Sequence, residues 1–257
     1  MRKLSDQLIE RYSRQILIDK IGLVGQKKII NSSVAIIGCG GLGSTVAQSL
    51  TMSGVGKLLL ADFDNVELSN LNRQSLFEEK DIGKNKAVTL GSSIAKINSK
   101  ITIIKRPLKI DRDNIDKELK DYKLIVDCSD NFETRYLINK FCVNKRKKLV
   151  SAALQNFHIQ LFAFSSQSHK NYPCYECIFP SNNIQDTGTC DQLGITAQVA
   201  AMGGIMQAMT VIKIILGFDR NIYEQMVLID CFDYIFKKIK VSKNAQCNTC
   251  NKSLLNN

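Results

Sequence analysis

The sequence predicts an α/β protein built on a doubly wound, mostly parallel sheet. Three observations predict it. Short, continuous apolar runs alternate with helix-length stretches across residues 33–154, as buried parallel strands joined by right-handed crossovers do. A glycine-rich turn, Gly38-Cys39-Gly40-Gly41-Leu42-Gly43, joins the first run to a helix. An acidic residue, Asp62, ends the second run.

Taken in order, residues 5–19 predict an N-terminal helix. Ser5 is its cap, and Leu8, Ile9, Tyr12, Ile16 and Leu17 fall near helical spacing. Strands are expected at 33–38, 57–62, 101–105, 124–128 and 149–154. The helices between them are expected at 42–53, 84–98, 113–119 and 132–146. Beyond residue 154 the rhythm changes. A further strand is expected at 159–164, then a polar, cysteine-bearing stretch at 167–191 and an apolar helix at 195–216. Two last strands, 226–231 and 234–241, read as an antiparallel hairpin.

Composition narrows the class. With 257 residues, 44% hydrophobic and 23% charged, the chain is neither disordered nor collagen-like nor a coiled coil. The net charge of +11 is spread along it. The two dense basic runs, 145–148 and 237–243, have no aromatic interleaving of the kind that stacks single-stranded bases, so no nucleic-acid partner is expected. Nine cysteines, an odd number, and an N-terminus without an apolar signal core predict reduced thiols and a cytoplasmic location. The apolar run 194–217 has the ~20-residue length of a membrane span. Gln198, Gln207, Thr210 and Lys213 interrupt it, so it reads as a buried helix and no membrane partner is expected.

Gly38, Gly40 and Gly43 fit the pattern G-x-G-x-x-G, in which glycines let backbone N–H groups approach a phosphate at a helix N-terminus. Asp62, with Asp64 two residues on, stands where a ribose-binding acid belongs in a Rossmann-like sheet. That pattern serves NAD, FAD and ATP alike. The segment after Asp62 is densely polar and includes Asn70 and Arg73. Lys86 starts the following helix, Arg14 lies on the N-terminal helix, and Asp130 and Asn131 follow the fourth strand. Cations and a carboxylate beside a nucleotide suit phosphoryl or nucleotidyl transfer: the cations neutralise developing charge and the carboxylate holds Mg²⁺. The alternative is an NAD- or FAD-dependent oxidoreductase using the same glycine loop. His158 and His169 lie late in the chain, outside any dehydrogenase-like setting, and read as surface or packing residues.

The elements Arg11-Tyr12-Ser13-Arg14-Gln15, the glycine loop, Asp62-Phe63-Asp64, Ser69-Asn70-Leu71-Asn72-Arg73-Gln74, Lys86 and Cys128-Ser129-Asp130-Asn131 follow one another in this order. In them the chain resembles the MoeB/ThiF/HesA adenylyltransferases, bacterial relatives of the ubiquitin-activating enzymes, from about residue 4 to residue 250. The resemblance implies an enzyme that binds ATP·Mg²⁺ and the C-terminal Gly-Gly tail of a small ubiquitin-like sulfur carrier. The carrier would be of the MoaD type for molybdopterin or the ThiS type for thiamine. The tail carboxylate would attack the α-phosphate, and the acyl-adenylate would go on to a thiocarboxylate. The resemblance gives Asp62 the ribose, places Gly41 and Asn70 in the nucleotide pocket, gives Arg73 and Lys86 the phosphates, and gives Asp130 the Mg²⁺. Arg14 would come from the other subunit of a homodimer. One domain over 1–257 is expected, with an N-terminal helical arm (1–30), a nucleotide-binding half (31–154) and a carrier-binding and zinc half (155–257).

Two C-x-x-C pairs, Cys174/Cys177 and Cys247/Cys250, can supply four thiolates to a closed structural zinc site, with redox pairs as the alternative. The resembled family carries two such pairs in these positions, so Zn²⁺ completes the predicted fold. Cys190, before the apolar helix, is either a thiol that links to the activated carrier, as in ThiF-like members, or a bystander. Cys39, Cys128, Cys142 and Cys231 read as packing residues. No rhodanese-like domain is expected after Cys250, which makes the sulfur donor a separate protein. The stretch 180–190 is where carrier choice would be encoded.

Overall fold

The computed structural model describes residues 2–165, 172–181 and 194–251. Its eight strands form one sheet in the order β3-β2-β1-β4-β5-β6-β7-β8. Strands β1 (Ser33–Ile37), β2 (Lys57–Ala61), β3 (Thr102–Arg106), β4 (Leu124–Asp127) and β5 (Lys148–Gln155) run parallel. Strands β6 (His158–Ser165), β7 (Gln225–Asp230) and β8 (Ile235–Lys240) add antiparallel neighbours at one edge. The expected fold class and the C-terminal hairpin are both present.

The apolar runs form central strands because both faces of the sheet are covered. Val34 and Ile36 of β1 face one core, and Ala35 and Ile37 face the other. The first core is closed by α3 (Gly22–Ile30), α4 (Gly41–Ser53), α5 (Lys86–Ile97) and α9 (Ala197–Leu216). The second is closed by α6 (Ile115–Leu119), α7 (Phe132–Asn144) and α8 (Tyr175–Ile178). Among the described residues α9 is the one helix long and apolar enough to cross a membrane. It packs against α4 and lies over β5 and β6. The approach to α4 is close: a Cβ on Gly204 would stand 2.6 Å from the Cβ of Thr45. Gln207 of α9 is fully buried, donating to the carbonyls of Asp127 at 2.7 Å and Val150 at 3.3 Å.

The N-terminal arm differs from expectation. Instead of one helix over 5–19 there are two short ones, α1 (Asp6–Arg11) and α2 (Ser13–Ile16). Ser5 caps the first, accepting from the Leu8 N–H at 3.4 Å. The break falls at Tyr12, whose ring is 2% exposed and whose hydroxyl accepts from Asn98 Nδ2 at 2.9 Å. Drawing that ring into the core ends the helix. Helix α3 falls within the helical arm expected over 1–30, although no separate helix is expected at 22–30.

Candidate active site

Strand order reverses between β1 and β4, and the cleft opens there, at the carboxyl ends of the strands, where such sheets bind ligands. Two glycines of the loop serve packing. Gly38 has φ +92°, and a Cβ on it would lie 2.6 Å from the Cys128 carbonyl oxygen. A Cβ on Gly43 would lie 1.9 Å from the Gly38 carbonyl oxygen. Gly40 and Gly41 line the cleft, as Gly38 also does. Gly40, the N-cap of α4, has no side chain to occupy the first N–H groups of the helix, the groups an anion site uses.

Asp62 joins the loop to β2. Its Oδ2 accepts the Cys39 N–H at 2.6 Å and its Oδ1 accepts the Asp64 N–H at 2.9 Å. Burial pushes its carboxyl above the ordinary carboxylate range, against the pull of those bonds and of Lys86. Asn85 caps α5 and donates to the carbonyls of Asp62 and Asp64 at 3.0 and 3.1 Å, which brings Lys86 into the cleft. The Lys86 ammonium sits 3.1 Å from Asp64 Oδ2. A single 3-10 turn, Leu68–Asn70, is fastened by a capping box in which Asn70 Oδ1 accepts the Glu67 N–H at 3.1 Å. It delivers Arg73, whose Nη1 donates to the Ser69 carbonyl at 2.8 Å. Gln74 Oε1, also at the cleft, is buried with no hydrogen-bond partner among the described residues, which suits a polar ligand.

Beyond β4 the chain turns on Asp127. Its Oδ1 accepts from the Ser129 hydroxyl at 2.5 Å and its Oδ2 from the Ser151 hydroxyl at 2.8 Å. Arg135, 4% exposed, donates to the Ser129 carbonyl at 2.5 Å and to Ser151 Oγ at 3.3 Å. This buried network fixes the turn that carries Asp130. The Asp130 carboxylate is exposed at the cleft, and Asn131 Nδ2 donates to its Oδ1 at 3.3 Å. Asn131 Oδ1 meanwhile caps α7 through the Thr134 N–H at 2.9 Å. An open carboxylate facing a phosphate-sized space is the donor a hard cation such as Mg²⁺ takes.

The cleft thus gathers Gly38, Gly40, Gly41, Asp62, Asp64, Asn70, Arg73, Lys86, Asp130 and Asn131. Gly43 supports it from behind. Arg14 is exposed on α2 and is not among the residues that line it. Cys190 and His169 lie outside the described residues. The reading of the sequence missed Arg135, which looks like an ordinary helix residue until β4 and β5 bring it partners. It also missed an adjoining apolar groove over β5–β8, which shares Asp130, Arg135 and Leu154 with the cleft. Phe162, Tyr175, Phe179 and Leu228 line that groove, with His158, Asp230 and Lys237 among its polar residues.

Around α8 the sulfurs of Cys174, Cys177, Cys247 and Cys250 all lie within 4.8 Å of one another. None is in a disulfide. The Cys174–Cys247, Cys174–Cys177 and Cys177–Cys250 separations are 3.6, 3.9 and 3.3 Å. A tetrahedral zinc with Zn–S of ~2.3 Å has sulfurs about 3.8 Å apart, so the donor set fits. Asn139 Nδ2 donates to Cys174 Sγ at 3.6 Å, the outer hydrogen bond that a thiolate ligand wants.

Fold and cleft together define a nucleotide-binding α/β protein whose site is rich in cations and carboxylates. The ThiF family model matches residues 12–249, and the chain belongs to the ThiF family. It is 37% identical over 249 residues to the "Adenylyltransferase and sulfurtransferase MOCS3" of Danio rerio, covering 96% of this chain and 54% of that protein. Against the MOCS3 of Dictyostelium discoideum it is 38% identical over 245 residues, covering 94% and 57%. The chain therefore spans about half the length of these relatives. Among solved structures, E. coli MccB with ATP superposes with a TM-score of 0.80 at 26% identity, covering 93% of this chain and 74% of that one.

Proposed function

We propose that this protein is an ATP-dependent adenylyltransferase that activates the C-terminal Gly-Gly carboxylate of a small ubiquitin-like sulfur carrier, of the MoaD or ThiS type. One observation carries the reading. The glycine loop, Asp62, Arg73, Lys86 and Asp130 converge on one cleft, and that cleft adjoins an apolar groove with which it shares Asp130, Arg135 and Leu154. The family, the adenylyltransferase names of the relatives and the ATP in the MccB structure support it. The cluster of charges favours chemistry at phosphorus over hydride transfer.

In this reading Asp62 holds the ribose, and the N–H groups at the start of α4 face the phosphates. Lys86 and Arg73 neutralise charge that builds as the tail carboxylate attacks the α-phosphate and pyrophosphate leaves. Lys86 exchanges Asp64 for a phosphate oxygen when nucleotide enters. Asp130 would hold Mg²⁺, which supplies further charge neutralisation at the phosphates. Arg14 comes from the second subunit of a homodimer. The acyl-adenylate then receives sulfur and releases AMP, with Cys190 the candidate thiol on this chain. Residues 31–154 serve the nucleotide; residues 155–257 serve the carrier and the zinc held by the four cysteines.

The test is the product. ATP, Mg²⁺ and a carrier ending in Gly-Gly should yield pyrophosphate and no ADP, because attack is at the α-phosphate. Asp130→Ala should slow pyrophosphate release by ~10²-fold or more. ADP or phosphate as product would overturn the reading, and an unchanged Asp130→Ala rate would remove that residue from the site.

A further inference from the structure

We propose that the four-cysteine cluster builds one wall of the tail groove, so that its metal governs affinity for the substrate tail and leaves affinity for nucleotide alone. The inference rests on the tail reading above. Helix α8 is a single turn of four residues, too short to persist by its own hydrogen bonds. Cys174 is its N-cap residue and Cys177 lies within it. The metal ligands therefore hold both its ends, and Cys247 and Cys250 anchor them to the C-terminal segment.

What α8 carries is the groove wall. Tyr175 and Phe179 line the groove. The Tyr175 ring stands edge-on to Tyr136 at 5.5 Å and to Phe162 at 6.4 Å, and lies 5.0 Å from Phe179. Asn139 ties the wall to the cluster: its Oδ1 accepts the Tyr175 N–H at 3.0 Å while its Nδ2 reaches Cys174 Sγ. Tyr136 holds the other end, donating its hydroxyl to the Phe179 carbonyl at 2.9 Å. Both Asn139 and Tyr136 belong to α7, whose Arg135 lies one turn before Asn139 on the same face. Cluster, wall and the arginine at the junction of groove and cleft are thus hung on one helix. The glycine loop leads into α4, Lys86 starts α5 and Asp62 follows β2, and none of these elements contributes to the cluster. An aromatic wall grips apolar side chains, so the segment it receives is an apolar stretch preceding the terminal glycines.

The chain has no tryptophan, so Phe179→Trp in the full-length protein places a single reporter in the wall. The probe is a synthetic decapeptide with apolar residues at alternating positions and a Gly-Gly terminus. Stripping zinc with a chelator, with metal content measured, should shift the emission of the Phe179→Trp variant to the red. It should weaken peptide binding by about tenfold or more, while binding of ATP·Mg²⁺ stays unchanged. Tyr136→Phe, which keeps every cysteine, should weaken peptide binding in the same selective way and covers the case in which removing the metal unfolds the protein. Unchanged emission and peptide affinity without zinc would overturn the proposal, as would a parallel fall in nucleotide affinity. If the peptide fails to bind even with zinc while ATP·Mg²⁺ binds, the tail reading falls. The emission shift, which concerns the wall alone, tells that failure apart.

Discussion

Four glycines written close together in the chain have two different jobs, and the difference is one of atoms within reach. A methyl on Gly43 would collide with the Gly38 carbonyl at 1.9 Å, between the loop and the helix it opens. A methyl on Gly40 would meet only Gln74 Nε2, at 3.6 Å, in the cleft itself. Gly43→Ala should therefore destabilise the fold by about 3 kcal/mol or more, as overpacking of a rigid backbone contact does. Gly40→Ala should leave the urea midpoint nearly unmoved and weaken ATP binding about tenfold, roughly the loss of one hydrogen bond to a charged phosphate. Equal effects of the two on stability would refute this division. The sequence displayed the glycines, Asp62 and Asp130 because each sits in a short motif beside a strand end, and Arg73 and Lys86 because each sits in a short motif of the resembled family. It did not display the division of labour, nor Arg135, because those depend on which carbonyls and hydroxyls the sheet brings near.

Elements were legible where hydrophobic period and caps agreed. Helices α4, α5 and α7 and the parallel strands lie where pattern and turn residues put them, within a residue or two. Helix α3 was not legible. Its sequence, Gly-Leu-Val-Gly-Gln-Lys-Lys-Ile-Ile, contains two glycines, and its cap Ile21 makes no side-chain bond. It forms because Ile29 and Ile30 are buried in the core and because Gly25 lets the Leu216 side chain of α9 approach, a Cβ there meeting it at 2.8 Å. That is tertiary packing overriding weak propensity. Helix α9 shows the reverse. Gln207 looked like an interruption of an apolar run and proves to be its anchor, bridging the Asp127 carbonyl of β4 and the Val150 carbonyl of β5. Gln207→Leu should keep the volume and the helix yet cost about 1–3 kcal/mol, since buried polar partners lose their donor. Urea unfolding measures this, and an unchanged or raised stability would show those carbonyls to be satisfied without it.

At the scale of the whole molecule, the proposal that a partner subunit supplies Arg14 can be tested, because Arg14 is not among the residues that line the cleft of its own chain. Arg14 stands exposed on α2, and its neighbours along the arm, Leu17, Ile18, Leu23 and Val24, expose large apolar side chains. A second copy of the chain covering that arm would bury those side chains and carry Arg14 to a cleft other than its own. Arg14→Ala and Arg73→Ala should then each be nearly inactive alone, Arg14 missing from the neighbour's site and Arg73 from its own. Mixing the two variants and allowing subunits to exchange should form heterodimers with one site free of both substitutions and one site carrying both. Pyrophosphate release should recover to at most about half of the unsubstituted activity per heterodimer, a ceiling set by two-fold symmetry. The control is a mixture of each variant with itself, which should recover nothing. If exchange is verified by tagged subunits and activity does not return, Arg14 acts in its own subunit or has only a structural role.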